Sequence, residues 1–316
     1  MSVGLIINGK SNRTASIADE LIGVAGRFAD VKTETLDGIH GLGETLDALN
    51  AKKVDTVIIA GGDGTMQATF TDAVNNNRFE HVPNYVALPC GMTNVIAYDC
   101  GLRGNPVRSL EEFLKRRENG DVKTQRRSLL SVGAEGEPPV RGFFFGAAAF
   151  HSAVKYSRER VQAKGAKRSL ALVASVTGYI LKVARDPHDA LDPANLDIID
   201  GGEGAQIEGG YKERTLFLST TLNRLGAGIF PFWGKGEGGM ISTMIDFPAR
   251  KLLWAAPFVL NSKSRPWFEE TGYRSWRGDE MTVRFDGPYV FDGEEYSADK
   301  DRPLRLSSRH TINFLT

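Results

Sequence analysis

Short apolar runs, each broken off by glycine or small polar residues, set the rhythm of the first 120 residues. Val3-Gly4-Leu5-Ile6-Ile7, Val31 to Thr35, Val57-Ile58-Ile59-Ala60 and Tyr85-Val86-Ala87-Leu88 read as strands. Runs this continuous suit strands buried on both faces. Between them, Ile17 to Phe28, Leu42 to Ala51 and Met66 to Val74 read as helices, and a helix at Leu110 to Asn119 closes the pattern. Strand alternating with helix predicts a parallel sheet with right-handed crossovers. Around Gly120 to Arg127 the style changes to short, turn-rich segments. Strands are predicted at Leu129 to Val132, Gly142 to Ala147, Leu196 to Ile199, Thr215 to Thr220, Met240 to Ile245, Met281 to Phe285 and Tyr289 to Phe291. Helices are predicted at Ala153 to Gln162, Ser169 to Ala184 and Ala249 to Leu260. A second, β-rich domain follows from that shift.

In a parallel α/β sheet the ligand lies in the crevice outside the strands' carboxyl ends. Three loops fall there: Asn8 to Ser11, Gly61-Gly62-Asp63-Gly64-Thr65, and Cys90 to Asn94. Strand, glycine loop and helix together aim backbone N–H groups at a phosphate, and the helix start favours negative charge. Asp63 is the odd residue in such a loop, and a bridging metal or a nucleotide hydroxyl would explain it. An ordinary strand-to-helix turn with an N-cap is the plain alternative. Residues Gly4 to Ser11 also fit G-x-x-x-x-G-K-[ST] letter for letter. A phosphate loop begins after a strand, however, and here Leu5, Ile6 and Ile7 are themselves strand-like. That match is set aside.

Composition narrows the rest. The chain has 316 residues, 41% hydrophobic and 25% charged, which suits two globular domains. Lys+Arg and Asp+Glu number 39 each, so overall charge gives no argument for nucleic acid. Cys90 and Cys100 lack metal spacing and fit a reduced, cytoplasmic setting. No signal peptide is legible at the start, and the apolar stretch Leu170 to Leu181 is too short to span a bilayer. The five histidines show no zinc spacing, and neither G-x-S-x-G nor H-E-x-x-H occurs.

Asn8 after the first strand, Gly61 to Thr65, Pro89-x-Gly91-x-x-Asn94 and the late Asp292-Gly293-Glu294 together resemble the diacylglycerol kinase catalytic family, lipid kinases that include the sphingosine, ceramide and bacterial enzymes. The resemblance spans nearly the whole chain. It implies an α/β, parallel-sheet nucleotide-binding domain over residues 1–125, completed by about 297–316. A β-rich sandwich domain for the lipid would occupy 126–296. It also implies ATP and magnesium. Position by position, Asn8, Gly9, Ser11, Thr35, the Gly61 to Thr65 loop, Gly91, Thr93 and Asn94 would hold the nucleotide. Asp63 would serve both chemistry and metal, and Glu237 would stand where some bacterial members place a structural magnesium ligand. Glu294 would be the general base that takes the proton of the lipid hydroxyl. Its plain alternative is a residue in a hairpin with an Asp-Gly turn.

The sequence departs from the family at Met66-Gln67-Ala68, where Leu-Asn-Glu is usual, and at Gly91-Met92-Thr93-Asn94-Val95, where Gly-Thr-x-Asn-Asp is usual. The leading expectation is an ATP-dependent kinase for a primary hydroxyl of a diacylglycerol- or ceramide/sphingoid-like lipid. A kinase for a soluble acceptor such as NAD and a catalytically weak nucleotide- or lipid-binding protein are the alternatives. A lipid substrate implies peripheral membrane contact, and a homodimer is compatible with it. Segment Phe247 to Arg277 is the expected membrane-facing surface, with the basic run Arg158 to Arg168 assisting. It holds Arg250, Lys251, Lys263, Arg265, Arg274 and Arg277 together with Trp254, Trp267 and Trp276. A helix packed through Leu252, Leu253 and Phe258 beside a solvated basic loop is the alternative there.

Overall fold

The computed structural model describes residues 2–91, 93–155, 193–200, 210–226 and 228–316. The expected helix Ser169 to Ala184 and the run Arg158 to Arg168 lie outside these, and Ala153 to Gln162 is described only as far as 155. The chain divides into two compact units. Unit 1 comprises residues 1–129, 138–142 and 310–316, and unit 2 comprises 130–137 and 143–309.

Unit 1 is built from β1 (Val3–Asn8), α1 (Asn12–Ala15), α2 (Ala18–Ala25), β2 (Val31–Leu36), α3 (Leu42–Ala51), β3 (Thr56–Gly61), α4 (Asp63–Asn75), β4 (Asn84–Pro89), α5 (Val95–Cys100), α6 (Pro106–Glu118) and β5 (Thr124–Ser128). After the chain has passed through β6 (Leu130–Ala134), β7 (Val140–Gly142) also belongs here. The sheet runs β2-β1-β3-β4, all parallel. The last strand of the chain, β17 (Thr311–Leu315), then joins parallel to β4 and antiparallel to β5. Every residue of β1 and β3 is buried. Val3, Leu5 and Ile7 with Ile58, Ala60, Val86 and Leu88 form one core with Leu21 and Val24 of α2 and Leu110, Phe113 and Leu114 of α6. On α4, Phe70 packs edge-on against Tyr85 of β4 and Phe314 of β17. Gly4 lies mid-strand, paired with Lys32 and Val57, which removes any phosphate-loop role. Helix α6 shows why such segments start and stop where they do. Asn105 accepts from the amides of Val107 and Arg108, Pro106 takes the first turn, and Lys115, Arg116 and Arg117 sit at the C-terminal end of the dipole.

Unit 2 is antiparallel. It contains β6, β8 (Phe144–Ala148), β9 (Ala194–Asp200), β10 (Lys212–Thr220), β11 (Met240–Asp246), α7 (Leu252–Leu260), β12 (Tyr273–Gly278), β13 (Glu280–Phe285), β14 (Gly287–Phe291), β15 (Glu294–Ala298) and β16 (Leu304–Ser307). Its strands follow the order β15-β14-β8-β10-β9-β13-β16-β6, and β11 pairs with β10 on one side and β12 on the other. Strand β10 organises the sheet: Leu216 to Thr220 pair with β8, Lys212 to Arg214 with β9, and the other edge with β11. Ile245, Ala255, Val259, Phe268 and Tyr273 form the core beneath α7.

Candidate active site

The strand order 2-1-3-4 makes the chain reverse direction across the sheet between β1 and β3, and such a switch point opens a crevice at the carboxyl ends. The loops after β1 and β3 flank that crevice. Helix α4 begins at Asp63, three residues before its apolar stretch, so Asp63, Gly64 and Thr65 are its first turn rather than a free loop. No side chain caps this helix start, which leaves its leading N–H groups to an anion.

Asn8 ties the first loop to the second. Its Nδ2 donates to Thr65 Oγ1 at 2.8 Å, and its Oδ1 accepts from the Lys10 amide. Gly9 donates to the Leu36 carbonyl, and a Cβ on it would stand 3.6 Å from Thr35 Cγ2, so Thr35 adjoins the same loop. Ser11 precedes α1 and donates its amide to the Asn8 carbonyl. Arg13, which the motifs did not single out, reaches back from α1 and donates to the Gly91 carbonyl at 3.4 Å.

Asp63 turns inward. Its carboxylate accepts from the Thr93 hydroxyl at 2.6 Å and from the amides of Val95 and Ile96 at 3.2 Å. It therefore caps α5 from outside that helix and clamps the third loop to the second. Burial raises the Asp63 carboxyl above its ordinary value, against the Thr93 hydroxyl and the amides of Ile96, Val95 and Asn94, which pull it down. Thr93 thus supplies a hydroxyl to this junction. Asn94 takes the left-handed conformation at the start of α5, and its Oδ1 is buried with no partner. The glycines here answer to crowding. A Cβ on Gly91 would lie 2.7 Å from Gly62 Cα, and one on Gly61 would lie 2.6 Å from Thr65 Cβ.

In unit 2, Asp292 and Gly293 both have positive φ and join β14 to β15 as the tight turn of a hairpin. Asp292 accepts from the amides of Phe143 and Phe144 and so pins the hairpin to the start of β8. Glu294 follows directly and is exposed. On the next residue, Glu295 Oε2 lies 3.2 Å from His151 Nε2. Burial, with Glu294 and Asp292 nearby, raises the Tyr296 hydroxyl. Tyr289, stacked on Tyr296, is pushed up to about 12 chiefly by burial.

Magnesium fits less well than an anion. Glu237 is exposed in the loop before β11, and among the described residues no group of three or more His, Cys, Asp or Glu converges on a metal position. Asp63 already spends its oxygens on protein donors.

Comparison with known proteins agrees with the motifs. Residues 2–124 match the model of the diacylglycerol kinase catalytic domain. No curated protein matches the chain. Among solved structures, a diacylglycerol kinase from Bacillus anthracis str. Sterne is similar with a TM-score of 0.62 at 13% identity, covering 99% of this chain and 96% of that one. Two more from the same strain, given that description provisionally, reach TM-scores of 0.65 and 0.64 at 15% and 14% identity, with the same coverage. At these identities the likeness establishes the fold: a mostly parallel N-terminal α/β sheet followed by an antiparallel β-rich part.

Proposed function

We propose that the chain is an ATP-dependent lipid kinase that phosphorylates a primary hydroxyl of a diacylglycerol- or ceramide/sphingoid-like lipid. One observation carries the reading. The three loops that meet at the strand-order switch, with the uncapped start of α4 among them, fall within the segment that matches the diacylglycerol kinase catalytic domain.

ATP would supply the phosphoryl group. The first-turn amides of α4 bind its phosphates by hydrogen bonds and by the helix dipole. Asn8, Gly9, Ser11 and Thr35 shape one wall, and Gly91, Thr93 and Asn94 the other. Asp63 works as a positioning residue, because its carboxylate holds the third loop rather than the ligand. Arg13 adds a cation beside Gly91. Glu294 takes the proton from the lipid hydroxyl as the oxygen attacks, a role that needs an exposed carboxylate on a fixed hairpin. Magnesium would arrive with the ATP phosphates, which would supply much of its coordination, and no step is routed through it.

The test is transfer of label from γ-labelled ATP into a membrane lipid extract and, separately, into NAD, with the product headgroup identified. Labelled lipid is expected. Label in NAD, or in neither acceptor, overturns the proposal. Glu294→Gln should lower turnover by about 10² to 10⁴ with ATP affinity nearly unchanged. An equal loss of nucleotide binding would move Glu294 out of the general-base role.

A further inference from the structure

Helix α7 reads Leu-Leu-Trp-Ala-Ala-Pro-Phe-Val-Leu, without one polar side chain. A helix apolar all round belongs in a core or in lipid. Only one side of α7 is in a core: Ala255, Ala256 and Val259 are buried, while Leu253 is 53% and Trp254 76% exposed, with Pro257 exposed beside them. The three segment tryptophans that sequence groups together are thus separated by the fold. Trp276 is buried in β12 and stacked on Phe217, Trp267 packs on the core beneath α7, and Trp254 faces out.

The flanks of the helix are cationic. Arg250, Lys251, Lys263 and Arg265 are exposed, and the only acids between Phe247 and Arg277 are the exposed Glu269 and Glu270, beyond the C-terminal end of the helix. Lys251 lies 5.3 Å from the centroid of the Trp267 ring and Arg265 3.7 Å from that of Phe258, which holds both charges alongside the helix. Among the described residues none of the four is in an ion pair, whereas Arg274 is neutralised by Asp246. Exposed tryptophan and leucine ringed by unpaired cations match the boundary between anionic headgroups and acyl chains. A two-fold dimer through the same face would bring two copies of one cationic ring together.

We infer that the Leu253–Trp254 face of α7, with Arg250, Lys251, Lys263 and Arg265, is the surface by which this protein docks on anionic membranes. The inference deepens the lipid-kinase reading by naming where the enzyme meets its insoluble substrate, and its test keeps the two apart. The full chain is sedimented with vesicles of phosphatidylglycerol and phosphatidylcholine, and with phosphatidylcholine alone. Tryptophan emission of the parent and of Trp254→Ala is followed with lipids brominated along the acyl chain, the difference reporting on Trp254.

The parent should bind the anionic vesicles, with emission shifted to the blue and quenched. Leu253→Ser with Trp254→Ala should weaken binding by about tenfold or more. Lys263→Glu with Arg265→Glu should weaken it about as much at low salt and clearly less at high salt. Transfer to a short-chain diacylglycerol dispersed in detergent should be the same for parent and variants. Vesicle binding unchanged in both variants overturns the inference. So does a concentration-dependent dimer in sedimentation velocity that Trp254→Ala abolishes while vesicle binding persists. A parent that docks as described but phosphorylates no lipid sinks the kinase proposal and leaves the docking surface standing.

Discussion

The carboxylate of Asp63 meets a hydroxyl and two amides from one neighbouring loop, so a change of a single atom should be felt in stability before it is felt in chemistry. In Asp63→Asn an amide nitrogen replaces one acceptor and faces N–H groups it cannot accept. A loss of about 1–3 kcal/mol is expected from the stranded donors, read as a lower urea midpoint at constant m. The pH dependence has a definite sign. The folded-state value is raised, so the folded protein holds the proton longer than the unfolded chain does. The contribution of Asp63 is then fully present below the ordinary aspartate value of about 3.9 and is lost as pH rises through the raised one. The variant should lack that slope. Full stability with transfer abolished would instead turn the carboxylate toward the ligand.

At the scale of elements, the loops after β3 and β4 meet backbone against backbone. Gly91→Ala drives a Cβ to 2.7 Å from Gly62 Cα, which is backbone and cannot swing aside, and to 3.1 Å from the side-chain Oδ1 of Asn94. Gly43→Ala meets only the end of the Arg78 side chain, at 2.5 Å. The first should cost about 1–3 kcal/mol and weaken ATP binding, the second far less on both counts. Equal effects in denaturation and nucleotide titration would remove the crowding argument. The same contrast explains what was legible beforehand. The strands β1, β3 and β4 announce themselves because both their faces are buried. The start of α4 does not, because Gly64 is a poor helix former and the run Gly61 to Thr65 reads equally well as a loop. Strand β5, Thr-Gln-Arg-Arg-Ser, is polar because it lies at the sheet edge, so it carries no apolar signal. Residues Asn8, Gly61 to Thr65 and Gly91 to Asn94 could be placed at one crevice from their spacing along the chain. That Asp63 faces Thr93 could not, since the direction of a side chain is decided by a loop thirty residues away.

On the scale of the molecule, neither unit is one continuous piece of chain. Strand β17 stands between β4 and β5, and Phe314 packs against Phe70. A stop after Arg309 should therefore open the edge of β4 and expose Phe70 and Tyr85. Broad, non-cooperative unfolding and rapid proteolysis within residues 1–129 are the expected results, while an unchanged sharp transition would refute them. The order of elements also has a consequence in time. Roughly two hundred residues separate the end of β4 from the start of β17. At about 5–20 residues per second on the ribosome, the parallel sheet waits roughly ten to forty seconds with a bare edge for its missing neighbour. A nascent chain in that interval is a ready target for holding chaperones, until synthesis has passed β17 and that strand can pair.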